Sequence, residues 1–354
     1  TTRQNDVDVS FTISMQPGVS DNGVTGDGAT GDSSVTNSFL ARQAFVTFGD
    51  KSWGTVKLGK DLGIFASQAI LNDMTLLGVG SGANTSGGAL NTTNGGIGTG
   101  YLYPAWRGQI SYTTPNMNGF SATIGITNPN QGSFGNGFAT TAAAVGSDAS
   151  TGAAELYQDR FGIEGQAMYE FTGDVAGKVW AGFASYDVTA HAGAITATGA
   201  GTQVASTSAN TDDYTATVYD IGANINSGNL GLTAYYYNGD GMGTTFLGNL
   251  GTYNDASGSL KKRDSDGGYI QATYVIPTGT KLGLAYGVSR LDEASGESTG
   301  TLLDKNERWT VAAYHPLTKH LNLVAEYNKI ESEGQSSANQ MESDTVSLGA
   351  ILFF

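Results

Sequence analysis

A twofold alternation of apolar and polar residues, repeated along nearly the whole chain, limits what this sequence can fold into more than any other feature. In Val7–Gln16 the odd positions Val7, Val9, Phe11, Ile13 and Met15 are apolar, and the even positions Asp8, Ser10, Thr12, Ser14 and Gln16 are polar. Successive strand side chains point to opposite faces, so such a segment is a strand with one apolar and one wet side. Arg160–Phe171 repeats the pattern, with Phe161, Ile163, Ala167, Tyr169 and Phe171 against Arg160, Glu164, Gln166 and Glu170. Lys281–Val288 and Leu321–Tyr327 behave alike, placing Leu282, Leu284, Leu321 and Leu323 outward and Asn322 and Glu326 inward.

The same template predicts fourteen strands, near 7–16, 39–48, 53–60, 107–115, 119–127, 160–171, 174–186, 214–226, 229–239, 266–276, 280–291, 307–316, 320–330 and 343–354. The connections Pro115–Asn118, Thr172–Gly173, Pro277–Gly279 and Leu317–Lys319 are tight, whereas 17–38, 61–106, 128–159, 187–213, 240–265 and 292–306 are long. Short turns at one end and long loops at the other are the pattern of an up-and-down membrane barrel. By composition alone the long segments, rich in Gly, Ser, Thr, Asn and Asp, would pass as disordered linkers, but their regular placement between strands argues for loops.

Composition sharpens this reading. The 354 residues include 52 Gly, 17 Tyr and 14 Phe but only 6 Pro and no Cys, a profile that favours many strands over helices. Mean hydropathy is −0.18, and no stretch approaches the roughly 20 apolar residues a spanning helix needs. A barrel escapes that test because only alternate residues face lipid. One domain over 1–354 is expected, since single all-β barrels exceed the usual domain length. The absence of Cys removes disulfides and thiolate metal sites. A net charge of −15 argues against a nucleic-acid partner.

A soluble sandwich alternates as well, and periodicity does not say which face is the core. Aromatic placement favours the membrane: Phe161, Phe171, Tyr186, Tyr214, Tyr274, Tyr286 and Tyr327 fall near strand ends, where interfacial girdles lie.

The C-terminus, Thr345–Phe354, carries Val346, Leu348, Ala350 and Leu352 on one parity and ends on Phe354. It resembles the terminal signal of outer-membrane barrels that the assembly machinery reads. Arg42–Lys60 (RQAFVTFGDKSWGTVKLGK), Arg107–Ile126 (RGQISYTTPNMNGFSATIGI) and Trp309–Ile330 (WTVAAYHPLTKHLNLVAEYNKI) resemble segments of the Gram-negative general porin family of sixteen-stranded trimers. His315, Pro316 and His320 depart from the family's late turn, and the long loops match nothing. The resemblance implies an all-β, transmembrane antiparallel up-and-down β-barrel in the outer membrane of a Gram-negative bacterium. It implies a homotrimer, contacts with lipopolysaccharide and outer-membrane lipid, and recognition by the barrel assembly machinery through the strand ending at Phe354. Family members open with two strands that have no counterpart before Val7. Sixteen strands are therefore expected, fourteen of them visible here, with a true fourteen-stranded barrel as the alternative.

If 61–106 is the family's third loop, it folds inward as a constriction loop. Its only carboxylates are Asp61 and Asp73. Lys57 shares parity with Thr55 and Gly59, and Arg107 with Gln109, Ser111 and Thr113, so both are expected in the lumen. The resemblance carries a constriction role onto Arg42, Lys57 and Arg107 as a basic wall, although Arg42 shares parity with Leu40, Ala44 and Val46. Cations facing carboxylates across a throat would set up a transverse field. Because three bases outnumber Asp61 and Asp73 if all five point inward, weak anion preference or near-neutral selectivity is expected at high salt. The plainer reading is that these side chains simply keep the lumen wet.

The expected function is a water-filled channel for passive diffusion of ions and small hydrophilic solutes. The alternative is an outer-membrane barrel whose long external loops serve adhesion or substrate-specific uptake. His191, His315 and His320 are the only histidines and have no placeable Ser partner, so no catalytic residue is assigned. No cofactor and no metal site are expected: Asp212–Asp213 and Asp264–Asp266 could hold Ca²⁺ but lack the spacing of a dedicated loop.

Overall fold

A computed structural model describes residues 1–19, 37–78, 95–128, 155–157, 160–191, 196–198, 202–204, 212–254, 259–298, 300 and 302–354. Much of the predicted loops 17–38, 128–159 and 187–213, and residues 79–94 of the 61–106 segment, lie outside the described residues.

Fifteen strands follow one another in a single antiparallel sheet whose order is their order in the chain. They are β1 Thr2–Gln4, β2 Val7–Val19, β3 Asn37–Asp50, β4 Gly54–Leu62 and β5 Trp106–Thr113. Next come β6 Phe120–Thr127, β7 Gly162–Phe171, β8 Val175–His191, β9 Asp213–Ser227 and β10 Leu230–Asp240. The last are β11 Asp264–Val275, β12 Lys281–Leu291, β13 Leu303–Pro316, β14 Leu321–Gly334 and β15 Gln340–Leu352. All fourteen predicted strands are present, and β1 is added. The turn from β1 to β2 has φ of 49° at Asn5 and 61° at Asp6, the left-handed pair that a two-residue hairpin turn requires. Among the described residues, β1 pairs with β2 and β15 with β14.

Register explains why the alternation is so regular. Phe11 stands opposite Val46, Val46 opposite Leu58, Leu58 opposite Ile110, Ile110 opposite Ile126, and Ile126 opposite Ile163. This row is apolar across six strands and faces out, with Phe11, Ile110, Ile126 and Ile163 exposed. One position over, Ser10, Thr47, Lys57, Ser111, Gly125 and Glu164 form the matching inward row. A one-residue slip of any strand would exchange the two rows, so the lipid-facing parity pins the register. The expected outward residues Phe11, Leu282, Leu284 and Leu323 are exposed, and Glu326 is buried inside as expected.

The inner face is not uniformly wet. On β10 exposure alternates at every residue, putting Tyr236 outside and Tyr235 and Tyr237 inside. With Trp180, Tyr186, Val188, Val218 and Tyr269 these rings line the inner side of β8 to β11, and Phe65, Ala69, Tyr101 and Leu102 pack on them. Tyr186 thus sits inside the barrel, a correction to its expected place in an interfacial girdle. Its ring takes the space where a Cβ on Gly162 would lie, and Trp180 takes that of Gly222. No described helix is long and apolar enough to cross a membrane. The helical pieces are α1 Ser67–Leu71 and a 3₁₀ turn, Met74–Leu77.

Candidate functional site

The segment joining β4 to β5 runs along the inner wall, touching one strand after another. At its root the Glu164 carboxylate of β7 accepts the amides of Ile64 (2.7 Å) and Phe65 (2.8 Å). Lys178 of β8 donates to the Gln68 side chain at 2.7 Å, and Tyr269 of β11 donates to the Ala69 carbonyl at 2.8 Å. Gln271 of β11 accepts from the Met74 amide (2.7 Å) and donates to the Asn72 carbonyl (3.1 Å). The far end meets Arg308 of β13, whose Nη1 lies 3.4 Å from the Thr75 hydroxyl. The returning limb lies back on the same wall: the Gly100 amide donates to Ser289 at 3.0 Å, and the Thr99 carbonyl occupies the space beside Gly287. Inward-facing glycines of β12 permit this approach, since a Cβ at Gly287 would lie 2.1 Å from that carbonyl.

The five residues singled out in the sequence fall into separate places. Lys57 and Asp61 come together as an ion pair, and Gln43 Nε2 donates to the other Asp61 oxygen at 2.9 Å. Both side chains are partly open to the lumen, at 31% and 10% exposure. Arg107 is instead sealed beneath the segment, bound to Glu164 at 2.9 Å with both side chains almost fully buried. Tyr186 bonds to both of them, and the guanidinium lies 5.2 Å from the centre of its ring. Among the described residues, two guanidinium nitrogens, Nε and Nη2, have no hydrogen-bond partner.

Asp73 caps the 3₁₀ turn. It accepts from the Thr75 amide (2.9 Å) and hydroxyl (2.7 Å), the Gly96 amide (2.7 Å) and the Tyr101 hydroxyl (2.9 Å), and lies 3.8 Å from Arg308. It therefore ties the outgoing limb to the returning one. Burial, with the Asp73 carboxylate beside it, pushes the Tyr101 phenol well above its usual range, so it stays a donor.

Arg42 sits at a β-bulge. Ser14 pairs with Gln43 and Met15 with Ala41, which leaves Arg42 as the extra residue. Gln43 lies on the regular side of the bulge, shares the inward parity of Thr47 and reaches Asp61. Arg42 instead stacks over Trp106, with 6.0 Å from guanidinium carbon to ring centre.

Glu164, Arg308 and Glu326 were not singled out as site residues by sequence. Glu326 accepts from Tyr314 at 2.8 Å and lies beside Gly78 of the segment. Parity placed Glu164 and Glu326 inside, but their partners are remote in sequence. Among the described residues no group of three His, Asp or Glu side chains could hold a metal ion.

Residues 1–249 match the Gram-negative porin family. No curated protein sequence matches the chain. Among solved structures the fold is similar to the outer membrane channel DcaP of Acinetobacter baumannii, with a TM-score of 0.68 and 15% identity over 100% of this chain and 82% of that one. It is also similar to OmpF of Salmonella typhi in complex with daunomycin, with a TM-score of 0.53 and 16% identity over 89% of this chain and 78% of that one. The anion-selective porin of Comamonas acidovorans gives a TM-score of 0.52 and 14% identity over 99% of this chain and 86% of that one. At such identities the likeness is one of fold, a transmembrane β-barrel; together with the family match it places the chain in the outer membrane as a channel. The chain belongs to the Gram-negative porin family.

Proposed function

We propose that 61–106 is the constriction of a passive pore that conducts ions and small hydrophilic solutes, within a single barrel domain spanning 1–354. The observation that carries this reading is the course of the segment, held in turn by Glu164, Gln271, Ser289 and Arg308 from four different strands. A segment fixed along the inner wall narrows the lumen without closing it. Lys57 and Asp61 line the opening, whereas Arg107, Asp73 and Arg42 shape it indirectly by holding the segment or the adjoining wall. Single-channel recording in planar bilayers tests this reading: stepwise conductance that falls when a bulky side chain replaces Leu71 is expected, and a conductance indifferent to that change refutes it.

Solute passage without covalent chemistry fits the histidines as well. His315 Nδ1 is 2.9 Å from the Thr280 hydroxyl, and His320 Nδ1 is 3.0 Å from the Phe353 carbonyl, so both serve turns at the short-loop end. The proposed assembly is a homotrimer embedded in lipopolysaccharide and outer-membrane lipid, inserted by the barrel assembly machinery through the strand ending at Phe354. The apolar outer face of β15, with Val346, Leu348 and Leu352 exposed, supports a membrane or subunit contact there.

A further inference from the structure

The returning limb of the constriction segment is touched from a second direction, by the loop that joins β10 to β11 at the long-loop end. Residues 242–249 of that loop close into a knob: the Gly248 amide donates to the Met242 carbonyl at 2.7 Å and the Thr244 amide to the Asn249 carbonyl at 2.8 Å, with Met242 and Leu247 buried. The Thr245 carbonyl of the knob accepts the Tyr103 amide at 2.9 Å, and Phe246 meets Tyr103 edge-on, with ring centres 5.9 Å apart and planes at 85°. The Thr245 side chain also fills the space where a Cβ on Gly98 would lie. The limb is thus gripped at both 98 and 103. Thr245 makes this grip at a φ of 70°, a left-handed conformation that a β-branched residue keeps only where its surroundings impose it.

An ion pair between two loops fixes the base of the knob. The Arg263 guanidinium meets both carboxylate oxygens of Glu297, through Nε at 2.8 Å and through Nη2, and its Nη1 donates to the Leu250 carbonyl at 2.9 Å. The Arg263 backbone is tied as well, its amide to the Gly251 carbonyl and its carbonyl to the Gly241 amide, each at 3.0 Å. Glu297 belongs to the loop joining β12 to β13, where it also accepts the Ala294 amide at 3.0 Å. With side chains 7% and 0% exposed, this two-pronged pair is directional and shielded from water, so it sets a geometry as well as an attraction.

We propose that Arg263 and Glu297 are positioning residues for conduction, holding the constriction from the long-loop end through the grip of Thr245 and Phe246 on its returning limb. The limb needs such support because its own backbone is permissive, with Gly98 and Gly100 at φ of 73° and 143°. The wall contact of Gly100 with Ser289 secures the limb's far turn, and the knob secures the stretch from there back to β5. This rests on the reading that 61–106 narrows the pore, and the test separates the two.

Single-channel currents are recorded in planar bilayers for Arg263→Met plus Glu297→Met, which removes the brace without leaving either charge buried alone. The main conductance level stays near the parental one, and time spent in substates rises at least about tenfold, because hydrogen bonds to a charged group hold the clasp by no less than the roughly 1.4 kcal/mol that a factor of ten represents. The urea midpoint in vesicles shifts little, since apolar replacement of a whole buried pair is close to neutral. Adding Tyr103→Cys and Phe246→Cys restores the grip covalently. The chain has no other cysteine, so oxidation with diamide ties limb to knob and suppresses the substates, and dithiothreitol brings them back. Phe246→Ala keeps the brace and removes only the ring contact; it shifts the currents in the same direction and serves if the double methionine variant fails to insert. Leu71→Trp reports the narrowing itself, and unchanged conductance in it refutes the constriction. Lowered conductance there, together with parental substate occupancy in the methionine variant or in Phe246→Ala, or with substates that the cross-link does not suppress, leaves the constriction standing and overturns the clasp.

Discussion

Replacing Glu164 by Ala tests how the constriction is held. One carboxylate oxygen accepts two backbone amides, of Ile64 and Phe65, and the other meets Arg107 and Tyr186, all at a site with no solvent exposure. Removing it strands two buried amides at about 1–3 kcal/mol each. It also leaves the Arg107 cation buried without its counter-charge, a loss of about 3–5 kcal/mol. The sum, roughly 5 kcal/mol at the low end, is comparable with the whole stability of a small domain, so the least costly response is for the segment root to lift and admit water. Single-channel recordings of Glu164→Ala should then show higher mean conductance and frequent substates. The double variant Arg107→Met plus Glu164→Met removes the stranded charge but not the stranded amides. Its urea midpoint in vesicles should recover towards the parent, while its current noise stays high. A Glu164→Ala channel with parental conductance and noise would refute the reasoning, because it would mean that the root is held by something other than this carboxylate.

Leu284→Arg on the lipid face should lower stability by about 2–4 kcal/mol at the membrane midplane, whereas Thr12→Arg in the lumen should be tolerated; equal costs in urea titrations of vesicle-inserted protein would refute the assigned faces. Gly287→Ala should shift the returning limb and alter conductance, because its Cβ meets the Thr99 carbonyl at 2.1 Å. Gly228→Ala, at a φ of 55° with nothing within 4 Å, should cost about 1 kcal/mol of stability and leave conduction unchanged. Reversal potentials should show near-neutral selectivity at high salt. They should drift towards cations at about 0.01 M, where screening extends to about 30 Å and the −15 net charge is felt. Lys57→Glu should move the ion ratio towards cations, and an unchanged ratio would place Lys57 outside the conduction path.

The wall of this molecule was legible because a strand in a membrane has one requirement, an apolar outer parity, and each strand states it locally. The interior was not, because its requirements are met between strands far apart in sequence. Lys57 and Asp61 lie on one strand at same-face spacing, so their meeting could be read from parity. Arg107 and Glu164 are separated by two further strands' worth of chain and a loop, and only the register shows that they share a burial site. Arg42 misled because its constriction role came from the resemblance, whereas its parity with Val46 already pointed outward and that of Gln43 with Thr47 inward. Tyr186 misled for another reason: beyond Phe183 the apolar residues Ala184, Tyr186 and Val188 lie inside, while Ser185 and Asp187 take the outer face. The expectation about selectivity counted three bases against two acids and left out Glu164 and Arg308, the partners of Arg107 and Asp73.

The tyrosine and tryptophan rings on the inner side of β8 to β11 also bear on how such a channel can be engineered. Trp180, Tyr235, Tyr237 and Tyr269 are dry because Phe65, Ala69, Tyr101 and Leu102 rest on them. Excising the segment to widen the bore would not leave an empty pipe; it would turn a packed interior into a sticky lumen surface, with roughly 1.5–3 kcal/mol forfeited for each large side chain uncovered. Trading those rings for serine or threonine in the same variant would be needed before the enlarged duct could carry water freely.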